Sequence, residues 1–117
     1  MVMEQKIHYC LSMRDLHKIS FLYSDDCPSH HEALMRLRKI MDQEGVTVEI
    51  ETINVRTNEE AIAHRFRGSP TILIDGRDID PSSNEGFGLA CRAYRLEDGR
   101  ISPLPSESMI RKALRGT

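Results

Sequence analysis

No run of about 18 apolar residues occurs anywhere in the 117-residue sequence, which excludes a transmembrane helix. Neither sign of charge dominates, since 16 Lys and Arg stand against 18 Asp and Glu, a formal charge of −2. A dedicated nucleic-acid binder shows a basic excess on one face, so neither nucleic acid nor membrane is expected as a partner. Cysteine is scarce: 3 residues, an odd number that does not make the paired framework of a small secreted domain. Reduced thiols in a cytoplasmic protein are therefore expected. An apolar signal-peptide core is lacking too, because Glu4, Lys6, His8, Arg14 and Asp15 interrupt the first stretch. No internal repeat or low-complexity linker divides the chain. What is present is the composition of one globular domain, 39% hydrophobic and 29% charged, able to form a core without disulfide staples or a structural metal.

Residues 1–17 carry no sustained period and read as a weakly ordered arm, leaving 18–117 as a single domain. Ile19–Tyr23 is short, apolar and β-prone, a first strand broken by Ser24, Asp25 and Asp26. Pro28 suits the first position of a helix, where a missing N–H costs nothing. Ala33, Leu34, Leu37, Ile40 and Met41 then recur at helical spacing, and Gly45 supplies the stop, which predicts a helix over 28–44. Val46, Val48 and Ile50 alternate with Thr47, Glu49 and Glu51 as a half-buried strand running to Val55. Thr57 to Glu60 reads as a capping box opening a second helix, with Ala61, Ile62 and Phe66 inside and an end at Gly68. Thr71–Ile74 is a third strand, and Asp75-Gly76 a hairpin turn returning through Arg77 to Asp80. A Ser/Gly-rich loop covers 81–88, and 89–96 reads as extended, turning at Asp98-Gly99. Met109, Ile110, Ala113 and Leu114 mark a C-terminal helix. The order β-α-β-α-β-β-α predicts an α/β fold. The right-handed crossover makes the first two strands parallel, and the hairpin adds an antiparallel one, giving a small mixed sheet with helices on both faces.

Cys27 is the first residue placed for chemistry. It follows a strand and opens a helix, where free N–H groups and the helix dipole favour a thiolate. His30 lies one turn on and assists if protonated, whereas Asp25 and Asp26 oppose a thiolate. The alternative is a buried, inert cysteine. Pro70, in Ser69-Pro70-Thr71, opens a strand after a helix; alone it is compatible with an ordinary trans proline.

Taken together, a strand, a Cys-Pro at the next helix start and a Ser-Pro-Thr opening a later strand resemble the thioredoxin-like superfamily. The resemblance covers about 19–115. It is closer still to the small bacterial DF family of (seleno)proteins. Its members look like this chain at Cys27-Pro28, at Gly68-Ser69-Pro70-Thr71, at Asp75-Gly76-Arg77-Asp78, and from Phe87 through Cys91, Arg92 and Ala93 to Tyr94. Some members carry selenocysteine at the position matching Cys27, which implies a redox nucleophile there. The resemblance further implies a cis Pro70 beside that cysteine, with the Ser69 backbone docking the extended segment of a disulfide substrate.

One departure matters. Thioredoxins use Cys-x-x-Cys, whereas this chain reads Cys27-Pro28-Ser29-His30, so no dithiol cycle can run through that motif. The chemistry is either monothiol or resolved by another cysteine. Cys91 is the candidate resolver, beside a loop able to move; its alternative is a buried core thiol. Cys10, in the arm, reads as incidental. His30 and His31 with the cysteines raise a metal alternative, but the compact paired spacing of structural zinc is absent and neighbouring helix residues diverge by about 100°. No metal and no cofactor is therefore expected. Arg65, Arg67, Arg77, Arg92 and Arg95 read mainly as solvated surface.

The leading expectation is a thiol-redox protein, an oxidoreductase of thiol–disulfide exchange or peroxide reduction. Cys27 is its nucleophile, Cys91 its resolver, and His30 and Pro28 tune the thiol. Its partners are a protein or small-molecule disulfide or peroxide and a thiol reductant. The expectation from another class is a non-catalytic binding module for a partner protein or, through thiolate capture, a soft metal ion such as mercury.

Overall fold

The computed structural model describes residues 18–25, 27–81 and 86–116. The expected arm, with Cys10, and Asp26 lie outside the described residues. Ile19–Tyr23 forms β1 and sits at the centre of a four-stranded sheet. It pairs in parallel with β2 (Ile50–Asn54), in register from Ile19 opposite Ile50 to Tyr23 opposite Asn54. On its other side it pairs antiparallel with β3 (Thr71–Ile74), which pairs antiparallel with β4 (Arg77–Asp78). The order is β2-β1-β3-β4. The expected mixed sheet is present.

Side chains alternate across β1, and each face receives its own helices. Ile19 and Phe21, with Ile72 and Ile74, face α1 (His30–Glu44) and α3 (Glu107–Arg115); Ala33, Leu37, Ile40, Met41, Ile110 and Leu114 close that core. Leu22 faces the opposite way, toward Val55, Phe66 and Ala61 of α2 (Asn58–Ala63). A separate two-stranded ribbon, β5 (Tyr94–Arg95) and β6 (Ile101–Ser102), precedes α3.

The structure departs from the sequence-based boundaries at identifiable points. α1 starts at His30, not at residue 28; Ser29 is its cap and Pro28 lies in the preceding turn. Pairing of the second strand starts at Ile50, where β1 begins to offer partners, although Val46 and Val48 stay half-buried between exposed neighbours. α2 ends at Ala63 rather than Gly68, because His64 caps it and Arg65 adopts φ 58°. Ile62, placed on its apolar face by sequence, is 61% exposed. Its capping box is displaced by one residue: Thr57 Oγ1 accepts from the Glu60 N–H at 3.0 Å, but the Glu60 carboxylate accepts from Arg56 N–H at 2.8 Å. The Asp75-Gly76 turn has φ of 51° and 84°, the double positive pair of a type I′ hairpin. β4 is shorter than the expected return to Asp80. Of the expected extended segment 89–96, Leu89 and Ala90 lie in a bend, Cys91 makes an isolated bridge to Ser69 and only Tyr94–Arg95 are strand; the turn at Gly99 is present, with φ 90°.

Candidate functional site

Cys27 and Cys91 form a disulfide that joins positions 64 residues apart, with Cα atoms separated by 5.9 Å. The sequence expectation required loop movement to bring these residues together; the fold already holds them within bonding reach. Cys27 enters from the turn between β1 and α1. Its N–H donates to the Ser24 carbonyl at 3.1 Å, and its own carbonyl accepts from His30 N–H at 3.5 Å. Cys27 thus begins the turn that leads into α1. Its residue is only 3% exposed, which overturns the expectation of a solvent-reachable sulfur at this position, while Cys91 is exposed rather than a core thiol.

Ser69 ties the two cysteine segments together. Its hydroxyl accepts from Ser24 N–H at 3.0 Å, on the Cys27 side. Its backbone bridges to Cys91, with Ser69 N–H donating to Ala90 O at 2.7 Å and Arg92 N–H donating to Ser69 O at 2.9 Å. The Ser69–Pro70 peptide is cis. Ser69 and Pro70 were expected to present a free docking edge; both are buried, and the chain's own 90–92 segment already occupies the Ser69 backbone groups.

Gly68 allows that segment to come close. It adopts φ +125°, and a Cβ there would lie 3.1 Å from Ala90 O and from Arg92 N. Next in the chain after Cys91, Arg92 turns into the protein and its side chain is fully buried. Its Nη1 donates to Asp78 Oδ2 at 2.9 Å and to Thr71 Oγ1 at 3.2 Å; its Nη2 donates to Asp78 Oδ1 at 3.0 Å and to Asp80 O at 3.3 Å. The guanidinium lies 4.6 Å from the Tyr94 ring centroid, and Tyr94 donates its hydroxyl to Pro70 O at 2.6 Å. Burial opposes the Arg92 charge, but Tyr94 and the Asp78 carboxylate outweigh it and push its pKa up. Arg92 was assigned to surface by sequence reasoning. The available signal was its place directly after Cys91, in a segment sharing a motif set with Asp78 and Thr71.

The His30 ring stacks on Tyr23 at 4.6 Å and meets His31 edge-on at 6.1 Å. Asp25, expected to oppose a thiolate, accepts from Asn54 Nδ2 at 3.0 Å. No group of three or more metal-ligating side chains occurs among the described residues. Arg65, Arg67 and Arg77 line a groove of about 890 Å³ with Asp75 and Glu97, a mixed rather than anion-selective lining. Among the described residues, no helix is long and apolar enough to cross a membrane.

No curated protein and no solved structure matches this chain. One family profile does, over residues 27–114, a span that begins at Cys27 and contains Ser69, Asp78, Cys91 and Arg92. The chain therefore belongs to the family of a domain of unknown function, DUF2703.

Proposed function

We propose that this protein is a thiol-redox protein of thioredoxin-like fold that cycles between a Cys27–Cys91 dithiol and disulfide. The observation that carries the reading is the bond itself: two cysteines 64 residues apart, at the turn into a helix and on an anchored strand bridge. The β2-β1-β3-β4 order and the bridge that sets Ser69, just ahead of β3, against Cys91 support the fold assignment. In the oxidising half-cycle the Cys27 thiolate, uncovered once the bond to Cys91 is open and that segment can move aside, attacks a peroxide or a disulfide. With a peroxide, Cys27 becomes a sulfenic acid and releases the alcohol or water. The Cys91 thiolate then attacks the Cys27 sulfur, the disulfide closes and water leaves. A thiol reductant returns the pair to the dithiol. The His30 ring is stacked on Tyr23 and is given no step in this cycle.

The buried Ser69 backbone favours one second reading, a binding module in which the disulfide is only a staple. Turnover separates the two. The reduced protein should consume hydrogen peroxide or a model disulfide with a thiol as reductant, and Cys27→Ser and Cys91→Ser should each abolish it. A pair with a potential below about −300 mV and no turnover would be a staple.

A further inference from the structure

The two halves of the disulfide face different environments. Cys27 is 3% exposed, held by its bond to Ser24 O and seated one turn ahead of the 15-residue helix α1. Cys91 is exposed, and the residues before it in the chain, Phe87, Leu89 and Ala90, are exposed as well. Thiol–disulfide exchange proceeds in line, so the attacking sulfur must approach one cysteine from the side opposite its partner, and the partner departs as thiolate. Only Cys91 offers that approach without opening the turn before α1. The departing group is then Cys27, three residues ahead of the first residue of α1, at the end of the helix whose dipole favours a thiolate.

From this asymmetry, and resting on the thiol-redox reading above, we infer that an external thiolate opens the bond at Cys91 and expels Cys27. The incoming thiolate bonds to Cys91 Sγ, the Cys27–Cys91 bond breaks, and its electron pair leaves on Cys27 Sγ. A second external thiolate then attacks the sulfur of the first external thiol in the mixed disulfide, and Cys91 Sγ leaves with the electron pair. This releases an external disulfide and the Cys91 thiolate, so two thiols are oxidised and one protein disulfide is reduced. Cys91 is thus the attack point of the reductant, and Arg92 is a positioning residue. Its pairing with Asp78 keeps the following strand fixed while the residues before Cys91 meet solvent.

The test uses the full chain in its oxidised form, with Cys10 first capped by iodoacetamide. Glutathione is added, early time points are quenched with N-ethylmaleimide, and cysteine peptides are mapped by mass spectrometry. Glutathione should sit on Cys91 and maleimide on Cys27, exceeding the reverse pattern by roughly tenfold. A second measurement guards against migration of the adduct. Cys27→Ala glutathionylated on Cys91 should be reduced by dithiothreitol faster than Cys91→Ala glutathionylated on Cys27. Early glutathione on Cys27, or equal rates in the two variants, would overturn the inference and leave the redox cycle standing. A protein in which diamide closes no Cys27–Cys91 bond, or in which glutathione opens none, would overturn the cycle and the inference together.

Discussion

Arg92 meets Asp78 through two parallel hydrogen bonds, Nη1 to Oδ2 at 2.9 Å and Nη2 to Oδ1 at 3.0 Å, in the interior and one residue beyond an exposed cysteine. The planar fork of a guanidinium fits a carboxylate in this way, and an ammonium does not. Breaking a buried pair from one side leaves a charge without compensation, which costs about 3–5 kcal/mol. Arg92→Lys and Asp78→Asn should therefore each lower the urea midpoint strongly. They should also slow closure of the Cys27–Cys91 bond after diamide treatment, because the segment carrying Cys91 loses its anchor. Unchanged closure kinetics in a folded Arg92→Lys protein would remove the positioning role.

Gly68 is the second point at which that segment is held. A side chain there would both adopt φ +125° and press within 3.1 Å of Ala90 O and Arg92 N, which are backbone atoms with little room to yield. Strain of this kind costs about 1–3 kcal/mol. Gly68→Ala should lower stability by that amount and weaken the Ser69–Cys91 bridge. Hydrogen exchange at Ser69 and Arg92 N–H reads the bridge directly, and protection equal to that of the parent would count against this account.

Much of the architecture is visible in local pattern, and the reasons differ by element. The apolar run Ile19–Tyr23 and the Asp75-Gly76 pair are decided by neighbours in sequence, one by burial on both faces and the other by positive φ at two positions. The end of α2 is not decided that way. Phe66 falls near the helical spacing of Ala61, yet it reaches the core through a chain reversal at Arg65, where φ is 58°. Cys27 and Pro70 stand out because of the punctuation around them. The burial of Arg92 does not, because a lone arginine reads as solvated until its carboxylate partner is known, and Asp78 comes from another strand. The same holds for the disulfide: the sequence offers Cys91 as a partner for Cys27, but only the bridge to Ser69 brings their Cα atoms to 5.9 Å.

Acid should loosen the seam between α1 and α3 before it affects the sheet. Glu44 accepts from Arg115 Nε at 2.7 Å and pairs with Arg111 at 3.3 Å, and the Arg115 hydrogen bond holds its carboxyl below the usual carboxylate range. Lys39 does the same to Glu107 from 2.8 Å. A carboxyl with a lowered folded-state pKa stabilises the protein above its unfolded-state value, near about 4.3 for Glu, and loses that contribution as pH falls through the folded value. Urea midpoints should therefore decline from pH 5 downward, within the window opened by about 4.3, and Glu44→Gln should flatten the decline. A parallel decline in parent and variant would assign the acid sensitivity to other groups.

Reduction should destabilise the fold without dissolving it. Closing a loop across 64 residues restricts the unfolded chain, and chain-entropy reasoning puts the stabilisation at about 4 kcal/mol. The apolar core between β1, α1 and α3 does not depend on that bond, since its residues are buried by one another: Ile19, Phe21, Leu37, Ile40, Ile72 and Ile110 are all fully buried. The reduced protein should therefore unfold cooperatively at a lower urea concentration, with far-UV dichroism in the absence of urea close to that of the oxidised form. Cys91→Ser under oxidising conditions should match the reduced parent, because each lacks the same link. If reduction alone unfolds the chain, the core is too weak to stand without the disulfide, and a dithiol form able to take part in a redox cycle is lost with it.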